Sequence, residues 1–232
     1  MGNSRRIFKY NYSLLPNSYI GEIEKNAGYG EDVEENIKLA IEKTGLSIGY
    51  PAWNLLYYSL LCSLPRKDEQ EAVVVETGTN RGFSTIILAQ ALKDSGIQGY
   101  VHTVDIEKDL IAKAEENIEK AGLGLKEYVK FKVQDSVAFL EELVKTKDHI
   151  NFAFLDANHE YSKVKEEFSI IHSKILACKG KVYFDNTSEG GVAETLRFIK
   201  DNYDGSMVEF RNCSWNPPGN VIWQPCAQKE IK

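Results

Sequence analysis

From Ala72 onward, short apolar runs alternate with stretches of helical periodicity. Ala72–Glu76 reads as a buried strand and leads into a helix from Phe83 to Lys93. Tyr100–Asp105 is a second strand. Its helix carries apolar residues at Ile111, Ala114, Ile118 and Ala121, a spacing that lies on one helical face, and Gly122 is a natural stop. Val129–Val133 precedes a helix through Phe139, Leu140, Leu143 and Val144. Ile150–Leu155 precedes one striped by Val164, Phe168, Ile171 and Ile175, and Lys181–Phe184 one with Leu196, Ile199 and Tyr203. Two further strands, near Met207–Arg211 and Val221–Gln224, have no helix between them and predict an antiparallel hairpin joined by Trp215–Asn220. Alternating strands and helices predict an α/β, doubly wound, largely parallel sheet. Residues 1–70 differ: a charged helix near Glu31–Lys43 and a second from Pro51 to Leu64 suggest a helical cap beside the domain formed by residues 71–232.

Composition narrows the range of partners. A chain of 232 residues can bury one full core, and its net charge of −6 argues against a broad electrostatic grip on nucleic acid. The apolar-leaning run Leu55–Leu64 is too short to cross a bilayer, and no secretory apolar segment opens the chain. Cys62, Cys178, Cys213 and Cys226 form no C-x-x-C pair, so reduced thiols in a cytoplasmic protein are expected.

The chemistry concentrates where strands end. The first strand runs into Glu76-Thr77-Gly78-Thr79-Asn80-Arg81-Gly82-Phe83-Ser84, an acid, a glycine-containing turn and a helix start. Such a turn offers backbone N–H groups and a carboxylate to a nucleoside at the carboxyl end of a parallel sheet. The glycines are spaced G-x-x-x-G, without the central glycine of a dinucleotide fingerprint. Asp105, at the end of the second strand, falls about 20 residues on, where ribose hydroxyls are bound in folds of this kind. Asp135 and Ser136 follow the third strand, and N-capping explains Asp135 equally well.

With Glu76 two residues before Gly78, the stretch resembles motif I of the S-adenosylmethionine-dependent methyltransferases. The resemblance implies a Rossmann-like seven-stranded sheet of order 3-2-1-4-5-7-6. It also implies a cofactor held by Gly78 and Gly82 through close backbone approach, by Ser84 and Glu76 at its amino-acid end, by Asp105 at the ribose, and by Asp135 and Ser136 near adenine.

A second group of donors is Phe154-Leu155-Asp156-Ala157-Asn158-His159, at the end of the fourth strand, and Tyr183-Phe184-Asp185-Asn186-Thr187, at the end of the fifth. Adjacent parallel strands would put Asp156, Asp185 and Asn186 on one rim. There they make an incomplete oxygen site for a hard cation such as Mg²⁺; an N-cap at Asp156 and a turn pair at Asp185-Asn186 are the alternatives. This part resembles the cation-dependent O-methyltransferases, both the catechol and caffeoyl-coenzyme A kind and the bacterial sugar-modifying kind. His159 stands where catechol-type enzymes carry a catalytic lysine, and Asn158 cannot accept a proton. The resemblance therefore implies His159 as base beside Asp156, with a reference pKa of about 6.5. It further implies a small-molecule acceptor with neighbouring oxygens and the possibility of a homodimer. A metal-independent methyltransferase and a non-catalytic cofactor-binding module remain alternatives. His102, His149 and His172 are expected to be structural, Tyr50–Tyr58 to be core, and Glu115-Glu116 and Glu166-Glu167 to be solvated helix faces.

Overall fold

The computed structural model describes residues 52–65, 70–121, 124–177, 179–210 and 219–226. The expected helix at Glu31–Lys43, Gly122, most of the Trp215–Asn220 loop, and Cys178 and Cys213 lie outside them. The elements run α1 Ala52–Leu61, β1 Ala72–Thr77, α2 Phe83–Ser95, β2 Gly99–Asp105, α3 Lys108–Lys120, β3 Val129–Val133, α4 Ser136–Thr146, β4 Phe152–Leu155, α5 Tyr161–Ile171, β5 Lys181–Phe184, α6 Gly190–Asn202, β6 Gly205–Phe210 and β7 Asn220–Pro225. Seven strands form one sheet of order β3-β2-β1-β4-β5-β7-β6. Pairings within β3-β2-β1-β4-β5 are parallel, while β7 runs antiparallel to β5 and β6. The expected α/β fold and strand order are both present.

Alternating strand residues feed two cores. Val74, Phe152, Phe154 and Tyr183 pack with Leu56, Leu60, Ile87 and Leu88 of α1 and α2 on one face. Val73, Val75, Ala153 and Phe184 pack with Leu140, Phe168 and Ile199 of α4, α5 and α6 on the other. Both faces are covered, so the central strands read as continuous apolar runs rather than alternating ones. Tyr57 and Tyr58 belong to the first core, as expected.

Two departures are informative. The fourth strand starts at Phe152, not Ile150, because the Asn151 side-chain carbonyl accepts the Val73 N–H at 2.8 Å while Ile150 bridges to Ile175. Glu167 is not on a solvated face. It is 1% exposed, three residues after Val164 on the buried stripe of α5, and accepts a hydrogen bond from the Thr77 hydroxyl at 3.1 Å. The expected structural histidines are placed accordingly. His102 is buried in β2, where burial above all holds its pKa down near 4, and His149 and His172 bond to the Glu71 and Ser169 carbonyls.

Candidate active site

Strand β1 delivers a buried acid to the carboxyl edge of the sheet. Glu76 is wholly buried, and its Oε2 accepts hydrogen bonds from the Thr85 (2.5 Å) and Thr103 (2.6 Å) hydroxyls, while Oε1 has no partner among the described residues. Burial pushes its pKa to about 7; the Ser84, Thr103 and Thr85 hydroxyls resist this, and the charge of Asp156 adds to it. Gly78 then turns the chain with φ 87°, a conformation that disfavours any side chain. A Cβ at Gly78 would sit 2.5 Å from the Asp156 carbonyl oxygen, so β1 and β4 can approach here only through glycine.

Asp105 ties the two neighbouring loops together, accepting the Asn80 N–H at 2.8 Å and the Glu107 N–H at 3.0 Å. A cavity of about 140 Å³ opens beside it, lined in part by Gly78, Asp105, Asp135, Ser136, Asn158 and Lys163. Asp135 does cap α4, with Oδ1 accepting from Val137 and Ala138 N–H, yet it also lines this cavity. The N-capping reading of Asp135 is therefore observed. Ser84 is buried against Glu76, and Gly82 stands at the start of α2 with φ 85°.

The ends of β4 and β5 gather the second group. His159 Nε2 lies 3.3 Å from Asp156 Oδ1 and 3.2 Å from Asn186 Nδ2. Asp185, 5% exposed, accepts through Oδ1 from Asn220 Nδ2 at 2.5 Å and the Asn186 N–H at 2.8 Å. Asn186 has φ 52°, uncommon for a residue with a side chain and worth noting at a site. Burial, followed by the charge of Asp156, lifts the Asp185 pKa to about 7; Asp156 is itself raised by burial. His159 is raised as well, chiefly by its hydrogen bond to Asp156. The Asp156 charge that raises the buried Asp185 is one a divalent cation would relieve, and the hard oxygens of both carboxylates suit Mg²⁺ or a similar ion. Among the described residues no three His, Cys, Asp or Glu side chains are gathered to hold a metal without help; the candidate set has two carboxylates and an amide.

Sequence reading missed several contributors. Glu189 contacts His159 Nδ1 at 2.8 Å through Oε2. Asn220 reaches Asp185 from β7, and Thr85 and Thr103 hold Glu76 from α2 and β2. Only Glu189 carried a signal, being an acid three residues past Asn186 at the start of a helix.

The crevice lies at the β1–β4 switch of this strand order, where doubly wound sheets bind their ligands. A family profile described as a methyltransferase domain matches residues 75–187. A provisionally named caffeoyl-CoA O-methyltransferase of Arabidopsis thaliana is 30% identical over 147 residues, 59% of this chain and 57% of that protein. The chain thus spans little more than half the length of that relative. In structure it is similar to the O-methyltransferase TomG of Streptomyces achromogenes, involved in tomaymycin synthesis and solved with S-adenosylmethionine (17% identity, TM-score 0.64, 85% of this chain and 91% of that one). It is also similar to an O-methyltransferase of Bacillus cereus in complex with S-adenosylhomocysteine (15% identity, TM-score 0.56, 90% and 92%). Residues 75–187 thus match a methyltransferase-domain profile, and the fold is shared with these two solved O-methyltransferases.

Proposed function

We propose that this protein is an S-adenosylmethionine-dependent O-methyltransferase acting on a small molecule with neighbouring oxygens, assisted by a divalent cation. The observation that carries the proposal is the meeting of Asp156, Asp185, Asn186 and His159 at the ends of β4 and β5, beside the crevice of β1. The residues around the crevice suit the methyl donor: Glu76, one of whose carboxylate oxygens has no partner among the described residues, would meet an ammonium directly or through water, and Asp105 and Ser136 line the cavity where ribose and adenine would lie.

When bound, S-adenosylmethionine would supply an electrophilic methyl on its sulfonium, and a cation held by Asp156, Asp185 and Asn186 would supply positive charge next to the acceptor's oxygens. The protein's own residues do the rest. Asp156 and Asp185 fix where an acceptor can chelate, and Glu76 and Asp105 anchor the two ends of the donor. His159 takes the acceptor's hydroxyl proton at Nε2 as the oxygen attacks in line. Charge is neutralised in that step, so most of the rate comes from orientation, worth on the order of 7–11 kcal/mol.

No described helix is long and apolar enough to cross a membrane. A small-molecule acceptor, a cytoplasmic setting and a homodimer complete the proposal, with residues 1–70 as a cap beside the acceptor. The test is transfer of labelled methyl from S-adenosylmethionine to catechols and sugar diols, with Mg²⁺ and with EDTA. Turnover that needs Mg²⁺ is expected. An undiminished rate in EDTA would favour a metal-independent methyltransferase, and cofactor binding without transfer would favour a binding module.

A further inference from the structure

We propose that Glu189 is a positioning residue for this site, fixing the tautomer and orientation of His159; the proposal rests on His159 acting as the base. The Glu189 carboxylate stands at a helix start and turns back to the site. Glu189 occupies the N-cap position of α6 with extended backbone (φ −70°, ψ 139°), and it makes no side-chain bond to the free N–H groups of the first turn. Here Oε2 goes to His159 Nδ1 at 2.8 Å and Oε1 to Asn186 Nδ2 at 3.3 Å.

The backbone holds Glu189 in that place from both sides. Its N–H donates to the Asn186 carbonyl at 2.9 Å, and its carbonyl accepts the Ala193 N–H at 2.8 Å. Two glycines follow. A Cβ at Gly191 would collide with the His159 carbonyl oxygen and the Tyr161 amide, so the start of α6 can lie against the His159 loop only because this residue has no side chain. The sequence Glu189-Gly190-Gly191 thus reads as a device that presses a carboxylate onto His159.

The chemical consequence follows from imidazole. A carboxylate bonded to Nδ1 keeps the proton on that nitrogen and leaves the Nε2 lone pair as the accepting group. Nε2 is the nitrogen that faces Asp156 and Asn186. During transfer the acceptor O–H bond breaks and an Nε2–H bond forms. The oxygen gains the methyl as the sulfonium C–S bond breaks to leave S-adenosylhomocysteine, and the imidazolium is then paired with Glu189.

The test uses the full-length protein and three variants: Glu189→Gln, Glu189→Ala and His159→Gln. Ring ¹⁵N–¹H correlation spectra, with His159 assigned through His159→Gln, are recorded upward in pH until the ring is neutral. Wild type is expected to hold the Nδ1–H tautomer and Glu189→Ala to revert to the Nε2–H form that free imidazole prefers. A wild-type ring in the Nε2–H form, or one unchanged in Glu189→Ala, overturns the proposal. In turnover, Glu189→Gln is expected to lower kcat at least tenfold with S-adenosylhomocysteine affinity held within twofold, and full kcat would also overturn it. His159→Gln tests the underlying reading separately. If that variant keeps wild-type turnover, the base assignment fails whatever the tautomer; if it is inactive while both Glu189 variants are normal, only the role of Glu189 fails.

Discussion

Replacing Glu76 with Gln separates what this carboxylate costs the fold from what it does for the ligand. Glu76 is wholly buried, with one oxygen unpartnered among the described residues, and burial, with Asp156 adding to it, holds its pKa at about 7 against an ordinary 4.5. The folded state therefore binds this proton more tightly than the unfolded chain does. The stability it contributes is complete below about pH 4.5 and is lost as pH rises through about 7. That gap corresponds to about 3 kcal/mol, at about 1.4 kcal/mol for each tenfold in proton affinity. Gln keeps the shape and can still accept from Thr85 and Thr103, but it never ionises. Urea unfolding across a pH series should therefore give nearly equal stabilities at the acid end and a variant more stable by about 3 kcal/mol at about pH 8. At about pH 8, where Glu76 is ionised, the variant should bind S-adenosylhomocysteine at least about tenfold more weakly, since a charge-assisted hydrogen bond is worth about 1.5–3 kcal/mol. Parallel stability curves for the two proteins would refute the assigned burial cost, and undiminished affinity would refute the assigned role.

Asp105→Ala should weaken S-adenosylhomocysteine binding by about tenfold or more in calorimetry, because it removes a charged acceptor and frees the Asn80 and Glu107 N–H groups that shape the cavity rim. Gly78→Ala should destabilise the fold and abolish cofactor binding, since its Cβ would press on the Asp156 carbonyl and its φ is positive; thermal unfolding with and without S-adenosylhomocysteine reads both effects.

Much of this architecture is legible in the sequence because a doubly covered parallel sheet imposes a strict pattern. Val73-Val74-Val75 is apolar on both faces, and polar residues at strand ends can point only to the carboxyl rim. For that reason Glu76, Asp105, Asp156 and Asp185 are recognisable as site candidates before any coordinates. The pattern fails where a polar side chain does something other than face water. Glu167 sits on an apolar stripe and was read as solvated because an acid is rarely buried, yet the Thr77 hydroxyl meets it there. Asn151 was read as strand, yet its side chain takes over a ladder bond. Asn220 reaches Asp185 from an antiparallel strand 35 residues away, a separation that leaves no local signal. Glu189 sits at the N-cap of α6, and only the approach allowed by Gly191 turns its carboxylate toward His159.

The most direct test of the central claim is the binding of Mn²⁺, used as a paramagnetic probe for a divalent cation, to the full-length protein with S-adenosylhomocysteine present. Electron paramagnetic resonance should show one Mn²⁺ taken up by the wild type and displaced by excess Mg²⁺. Asp156→Ala and Asp185→Ala should each lose that uptake while still binding S-adenosylhomocysteine. Equal Mn²⁺ uptake by wild type and both variants, or none by any of them, would contradict a cation site at the ends of β4 and β5.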